Sequence, residues 1–548
     1  MLYLRYLFFL FTGLFIMTCK NPDRADLIVF NGTIYTVDDQ FSTAEAMAIK
    51  DGKIVAVGKN LEIHDRFEAE NELDLNGKYV YPGVIDAHCH FLSYGLNLNK
   101  ADLVGTGSFE EILEILRDHA REFPSEWILG RGWDQNDWEV KEFPTNEELD
   151  QLFPDQPVLI TRIDGHAAIA NTEALNRAGI TTTTTTEGGD IIQSKGKLTG
   201  ILIDNAIDLV SKFIPEASEK DKIAALLKAQ ENCFAVGLTS VHEAGLGRES
   251  IKLIDSLQQN GSLKIRIYAM LSPGEKNFEA FMYQGKYKTD HLNVSSIKLF
   301  ADGALGSRGA LMIEPYSDDP GNVGLALTDQ KSLVEYCQQA YEHDYQVNTH
   351  CIGDSANRLM LNIYGKLLGG KNNRRWRIEH SQVVHPEDFE LFGKFNVIPS
   401  VQTIHCTSDM YWADERVGPE RIKGAYAYKQ LLEQNGWLPN GSDFPVENLN
   451  PLLGYYAAFT RTDLEGYPEG GFQMENALDR VQALKAMTIW AAKAAFEEKE
   501  KGSLEPGKFA DFIVTDGDLL TMPEKDIPDL SIDMTVLGGE QVHPIVKE

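Results

Sequence analysis

The sequence predicts an α/β fold: a closed (β/α)8 barrel joined to a second, β-rich unit built from both ends of the chain, with a subdomain inserted after the first barrel strand. Three observations predict it. Eight short apolar runs alternate with helical stretches through the middle of the chain, which is the pattern of a parallel sheet flanked by helices. Both chain ends read instead as strand, turn, strand. Imidazole and carboxylate groups gather near the C-terminal ends of the apolar runs, the face on which barrel active sites form.

A chain of 548 residues is long enough for roughly two to four structural units. Hydrophobic residues make up 43% and charged residues 24%, the mixture of a folded globular protein, so disorder as the main state is excluded. The formal net charge of −31 repels phosphate backbones, which argues against nucleic acid and leaves a small molecule as the expected partner.

Arg5 precedes an apolar run from Tyr6 to Met17, and Cys19 follows at once. The run is short for a bilayer span and reads as the core of a signal peptide. Ile16-Met17-Thr18-Cys19 resembles the cleavage box of bacterial lipoproteins. Residues 1–18 are therefore expected to be a leader and Cys19 the lipidated first residue of an exported, membrane-anchored protein on the periplasmic or cell-surface side. The other five cysteines, Cys89, Cys233, Cys337, Cys351 and Cys406, form neither a disulfide framework nor a CxxC knuckle. Most sit in apolar patterns, where free cysteine packs as a small hydrophobe.

From residue 25 to about 80, DLIVFNG, TIYTVDD, AMAIKDG, KIVAVGK and ELDLNGKYVYPG alternate β-rich runs with Asn-Gly and Asp-Gly turns. KFADFIVTDGDLL and SIDMTVLGGEQVH repeat the pattern near the C-terminus. Residues 19–80 and 500–548 are thus expected to pair into one β domain, leaving 81–499 for the barrel. Its strands are VIDAHCH, LTSVHEA, KIRIYAML, SSIKLFAD, YQVNTHC, RWRIEHS, NVIPSVQ and LPNGSDF. Leu333, Val334, Cys337, Ala340 and Tyr341 share one helical face before the fifth of these. The gap over about 95–226 is far longer than one crossover helix needs, and predicts the insertion. It contains GWDQNDW, RIDGHAAIAN and a threonine run, 181–186, read as loop.

In VIDAHCH, His88 and His90 lie two apart, so on a strand both face one side and Cys89 the other. Alone, an HxH pair is a weak signal. Its weight comes from placement, because His350, His380 and Asp443 each close a later strand, and such groups inside a barrel are costly unless paired or metal-bound. Lys298 lies in the middle of an otherwise apolar strand. It can be read as a snorkelling or ion-paired residue, or as a buried amine that loses its proton readily and captures carbon dioxide as a carbamate.

Together these motifs resemble the amidohydrolase superfamily, and within it the YtcJ-like or amidohydrolase-3 group with a long insertion after strand one. The resemblance runs from DLIVFNGTIYTVD through YPGVIDAHCH, IKLFADGALGSRGA, NTHCIGD, RIEHSQ and GSDFPV to LEPGKFADFIV. It implies a composite β-sandwich beside the barrel and two divalent ions, zinc being best suited to such ligands. By motif position, His88 and His90 hold the first ion, carboxylated Lys298 bridges, His350 and His380 hold the second, and Asp443 binds the first and handles protons. The implied reaction is hydrolysis of a non-peptide amide or formamide bond by a hydroxide held between the ions. His166 and His405 resemble family positions near the substrate, with Arg131, Trp133, Asp302 and Arg308 as further candidates. His242 is read equally as pocket lining or as packing.

Two other functions fit the same fold. A single-ion deaminase would use His88, His90, one later histidine and Asp443, with no task for Lys298. A non-catalytic, lipid-anchored binding protein would leave six costly polar groups without use. Substrate identity is set by loops rather than fold, and a homodimer is compatible with everything above.

Overall fold

The computed structural model describes residues 22–545; the expected leader and Cys19 lie outside them. Seven barrel strands follow in chain order: β1 (Val84–Cys89), β2 (Leu238–Leu246), β3 (Arg266–Leu271), β4 (Leu292–Phe300), β5 (Gln346–Cys351), β6 (Arg377–His380) and β7 (Ile398–Ser400). Each pairs in parallel with the next. Nearly every residue of these strands is buried, as in parallel sheets covered on both faces.

The eighth predicted run, LPNGSDF, is not a regular strand. It nonetheless bridges the gap between β7 and β1. On one side Val401 N donates to Pro439 O (3.0 Å) and Gly441 N to Val401 O (2.9 Å); on the other, Ala87 N donates to Asn440 O (3.2 Å) and Asp443 N to His88 O (2.8 Å). The irregularity has a steric cause. A Cβ at Gly441 would collide with the backbone of His88 and the carboxylate of Asp86, and Asp443 takes a left-handed backbone (φ 62). This sharp path turns the Asp443 side chain inward.

The helix Gln330–Glu342 shows how the crossovers dock. Asp329 caps it through Lys331 N and Ser332 N, and Leu333, Cys337 and Ala340 are buried, a stripe at i, i+4 and i+7. Val334 and Tyr341, expected on that stripe, are the flanking residues and are exposed at 40% and 37%. The five cysteines of the described chain are free and buried.

Between β1 and β2 lies a second, six-stranded sheet, in the order Gly189–Ser194, Lys197–Asp204, Ala167–Ala170, Val158–Arg162, Ile128–Trp133 and Ala101–Asp102. One face packs Leu103, Ile112 and Leu149, the other Trp127, Leu175 and Val210. The threonine run has no regular structure.

The chain ends share one sheet. Phe512–Thr515 pairs antiparallel with Tyr79–Pro82 in the register Ile513↔Tyr81, and continues to Met534–Leu537 and Glu540–His543. Thr33–Tyr35 and Thr43–Ala44 extend that sheet on the other side of Tyr79–Pro82, and a four-stranded sheet (Lys53–Gly58, Ala46–Lys50, Asp23–Phe30, Phe67–Asp74) completes the unit. Val29, Ile49, Val80, Phe512 and Val536 form a common core.

A buried ion pair ties this unit to the barrel: Arg266 of β3 grips Asp511 through Nε (2.7 Å) and Nη2 (2.9 Å) and lies over the Phe509 ring at 3.8 Å. Burial alone would raise the Asp511 carboxyl, but Arg266 and the Gly538 amide hold it below the usual range. Asp511→Ala strands the Arg266 charge and is expected to cost about 3–5 kcal/mol, read as a lowered melting temperature. With its folded pKa depressed, the wild-type pair contributes fully above the ordinary aspartate value of about 3.9. That contribution is lost as the pH falls through the lower folded value, so the gap between wild type and variant should close in acid.

Candidate metal centre

The polar residues at the C-terminal ends of the barrel strands converge on Asp443. His88 Nε2 lies 3.6 Å and His90 Nε2 3.3 Å from Asp443 Oδ1, and that oxygen is buried without a hydrogen bond. Donor atoms bound tetrahedrally to one divalent ion at about 2.1 Å sit about 3.4 Å apart. The trio therefore fits a metal ion. His380, His405 and Asp443 form a second grouping, their donor atoms within 4.8 Å of one another.

The surroundings leave the right ring nitrogens free. His88 Nδ1 donates to Glu379 Oε2 at 2.5 Å, making Nε2 the acceptor side of the ring, which Lys298 Nζ approaches at 3.0 Å. Burial would push the Glu379 carboxyl up, but Arg377 and His88 outweigh it and keep the group ionised. Arg377 Nη2 also donates to Glu379 Oε2 (2.9 Å) and to Ala87 O (2.6 Å), so the carboxylate is held by an anchored cation. His380 Nδ1 donates to Gln402 Oε1 (2.6 Å), again freeing Nε2. His350 is turned the other way, with Nε2 donating to Gly303 O (3.3 Å) and Nδ1 left free. The His350 and His380 ring centroids are 4.6 Å apart. Metal-binding imidazoles are commonly oriented by such outer contacts. His380 and Asp443 both have positive φ, 72° and 62°, a strained backbone that structures maintain mainly where function requires it.

Lys298 is buried, with Nζ 3.0 Å from His88 Nε2. Burial brings its ammonium down to about 8 despite Glu379 and Asp443 nearby. His405 behaves oppositely. Burial would lower it, but Asp443 and Glu447, the latter 3.0 Å from Nδ1, raise it to about 10.

These groups open into a cavity of about 1130 Å³ whose wall includes His90, Arg131, His166, His350, His405 and Asp443. His166 reaches it from the insertion, held by Asp204 Oδ1 at 2.6 Å, with its ring 5.1 Å from that of His350.

Four expected substrate contacts do not line this cavity. His242 is wholly buried inside the barrel, its Nδ1 3.1 Å from Arg377 Nη1 and its ring against Tyr268. Trp133 is in the core of the insertion and donates to Ile160 O at 3.1 Å. Asp302 accepts the amides of Ile352, Gly353 and Leu311 at 3.0, 2.8 and 2.9 Å, clamping the segment after β5. Arg308 pairs with Asp318 at 2.8 Å. The partners lie from 9 to 135 residues away in sequence, outside each motif, so the motif carries no sign that the residue is already engaged. Glu379, Arg377, Gln402, Glu447 and Asp204 were not anticipated. Arg377 and Glu379 flank Ile378 in RWRIEHS, and two charges within a buried strand are the sign that would have found them.

A parallel barrel with imidazole and carboxylate donors gathered at its C-terminal mouth defines the metal-dependent (β/α)8 hydrolases. The chain belongs to the amidohydrolase family, whose pattern matches residues 71–543. It is 34% identical to the protein LONG AFTER FAR-RED 3 of Arabidopsis thaliana, over 95% of this chain and 92% of that one. It is 32% identical to the putative amidohydrolase YtcJ of Bacillus subtilis, over 93% and 98%. An N-substituted formamide deformylase of Arthrobacter pascens shares 25% identity over 94% and 97%. Among solved structures, an uncharacterized metal-dependent hydrolase of Pyrococcus horikoshii aligns with a TM-score of 0.74 and 30% identity, over 91% of this chain and 99% of that one.

Proposed function

We propose that the protein hydrolyses a carbon–nitrogen bond of a non-peptide amide or formamide, using two divalent ions, zinc being the best match to the donors. The first ion would be held by His88, His90 and Asp443, the second by His350 and His380, with Lys298 bridging as a carbamate. The observation that carries this reading is the Asp443 oxygen, buried without a hydrogen bond and within 3.6 Å of two imidazole nitrogens. The name of the formamide deformylase relative supports the choice of bond.

Bound divalent ions acidify water and polarise a carbonyl. The chain's own residues do the rest. Asp443 accepts the proton of the attacking water and returns it to the departing nitrogen, which leaves as an amine. Glu379 and Gln402 keep the His88 and His380 rings in one orientation. His405, with Nδ1 3.0 Å from Glu447, sits beside Asp443 on the cavity wall.

A single-ion reading is favoured by one observation: His380, His405 and Asp443 form a three-donor grouping that needs no lysine bridge. Metal content separates the two. Removing metal with a chelator should abolish hydrolysis of a panel of formamides, acyl amides, cyclic ureas and esters. Adding zinc back should restore it, with full activity at about two ions per chain in the proposed centre. Full activity at one ion would support the alternative. No hydrolysis of any amide or formamide by the metal-replete protein would refute the function.

A further inference from the structure

The cavity contains two cations that the hydrolytic chemistry does not use. Ala101–Asp102 and Ile128–Trp133 are neighbouring parallel strands of the insertion, with Asp102 opposite Arg131. Side chains alternate along strands, so Lys100, Asp102 and Arg131 fall on one face. Both line the cavity that also holds His90, His380 and Asp443.

Neither cation forms an ion pair among the described residues, and Asp164 and Asp443 act on Arg131 only at longer range. Arg131 gives Nη2 to Ile163 O (2.7 Å), but its Nε is buried without a partner. Gly165, with φ 77°, flanks the guanidinium, and a Cβ there would sit 3.3 Å from Nη1. Lys100 makes no side-chain hydrogen bond among the described residues. Burial first, then Arg131, brings its ammonium down to about 8, and no carboxylate offsets them.

The neighbouring carboxylates are engaged elsewhere. Asp134 and Asp164 both pair with Arg162, Asp164 at 2.5 Å. Asp102 accepts the amide of Val104 at 3.1 Å, and Asp204 holds His166. On a chain with a net charge of −31, two cavity-wall cations with no ion-pair partner among the described residues are a costly arrangement that an anionic ligand would relieve.

We propose that Lys100 and Arg131 form a subsite for a carboxylate on the substrate, so that the preferred substrate is an amide bearing a free carboxylate, of the N-acyl amino acid type. This rests on the hydrolytic reading above. The guanidinium fork matches a carboxylate's two oxygens, and the ammonium adds a point charge. A dianionic phosphate fits less well, because Asp102, Asp134 and Asp164 share the wall and repel additional negative charge.

The test uses the metal-loaded, full-length protein with N-formyl and N-acetyl amino acids and their carboxamides, which differ only in the free carboxylate. The acids should be preferred by about 10- to 100-fold in kcat/KM, the usual weight of charge-assisted hydrogen bonds. In Arg131→Met and Lys100→Met that preference should fall toward unity, chiefly through KM. Binding of N-acetylglycine, followed by calorimetry, should weaken by about tenfold in either variant with metal content unchanged. Arg131→Lys should retain part of the preference. Equal turnover of acids and carboxamides by wild type, or a preference that survives both substitutions, would overturn the subsite. Should no amide of either kind be hydrolysed, the hydrolytic reading fails, and N-acetylglycine binding still decides whether the subsite exists.

Discussion

Exchanging Asp443 for asparagine is expected to lower turnover by about 10²- to 10⁴-fold, the usual cost of losing a general acid–base group, while most of the metal stays bound. Asparagine keeps an oxygen where Oδ1 stands 3.3 and 3.6 Å from His90 and His88, but it cannot take up a proton. Burial would favour a protonated Asp443, yet His405, His90 and His88 hold it well below the ordinary carboxylate range. The native group is thus an ionised acceptor facing the cavity. Steady-state kinetics with elemental analysis of the same preparation separates the two roles. Unchanged kcat would remove Asp443 from the proton path, and parallel loss of metal and activity would make it a ligand only.

Lys298→Ala is expected to remove metal and activity together, with acetate or propionate restoring part of both. A neutral lysine amine adds carbon dioxide, forming an N–C bond and releasing one proton, and the resulting carbamate has two oxygens for two cations. Lys298 lies on β4, is buried, and approaches His88 Nε2 at 3.0 Å, which is compatible with this proposed role. A small carboxylate can enter the space vacated by the side chain and offer the same pair of oxygens. The rescue is what makes the test specific. If Lys298 serves only as a buried cation between Glu379 and Asp443, its removal lowers stability, metal content holds, and carboxylates have no effect. Carbamate carbon observed by NMR after labelling with ¹³C-carbon dioxide gives an independent reading of the wild type.

Much of the centre was legible before any coordinates because strand parity is a local property. Two residues apart on a strand means the same side, so His88 and His90 could be paired directly. A lysine in an apolar run announces itself in the same way. The outer contacts are different in kind. Glu379 reaches His88 across the barrel and Gln402 reaches His380 from the following strand, and nothing in RIEHSQ or SVQTIH states which ring each will meet. His242 shows the limit most clearly: its place near the end of a strand follows from the sequence, but whether it opens to the cavity or packs inward depends on Arg377, 135 residues away.

By itself, the sequence determined the alternation of strands and helices, the β character of both chain ends, the place of the insertion and the inward pair at His88 and His90, because hydrophobic period and turn residues act over a few neighbours. Tertiary structure alone decided how the barrel closes, since LPNGSDF forgoes regular strand geometry for contacts that Gly441 makes with His88 and Ser442 with Asp86. It also decided which charges are paired. Arg162 and Arg266 find Asp134 and Asp511 brought close by folding, whereas Lys100 and Arg131 line the cavity wall without an ion pair among the described residues. Pairing of buried charge depends on three-dimensional distance and on the dielectric around each group, and neither quantity is carried by spacing along the chain.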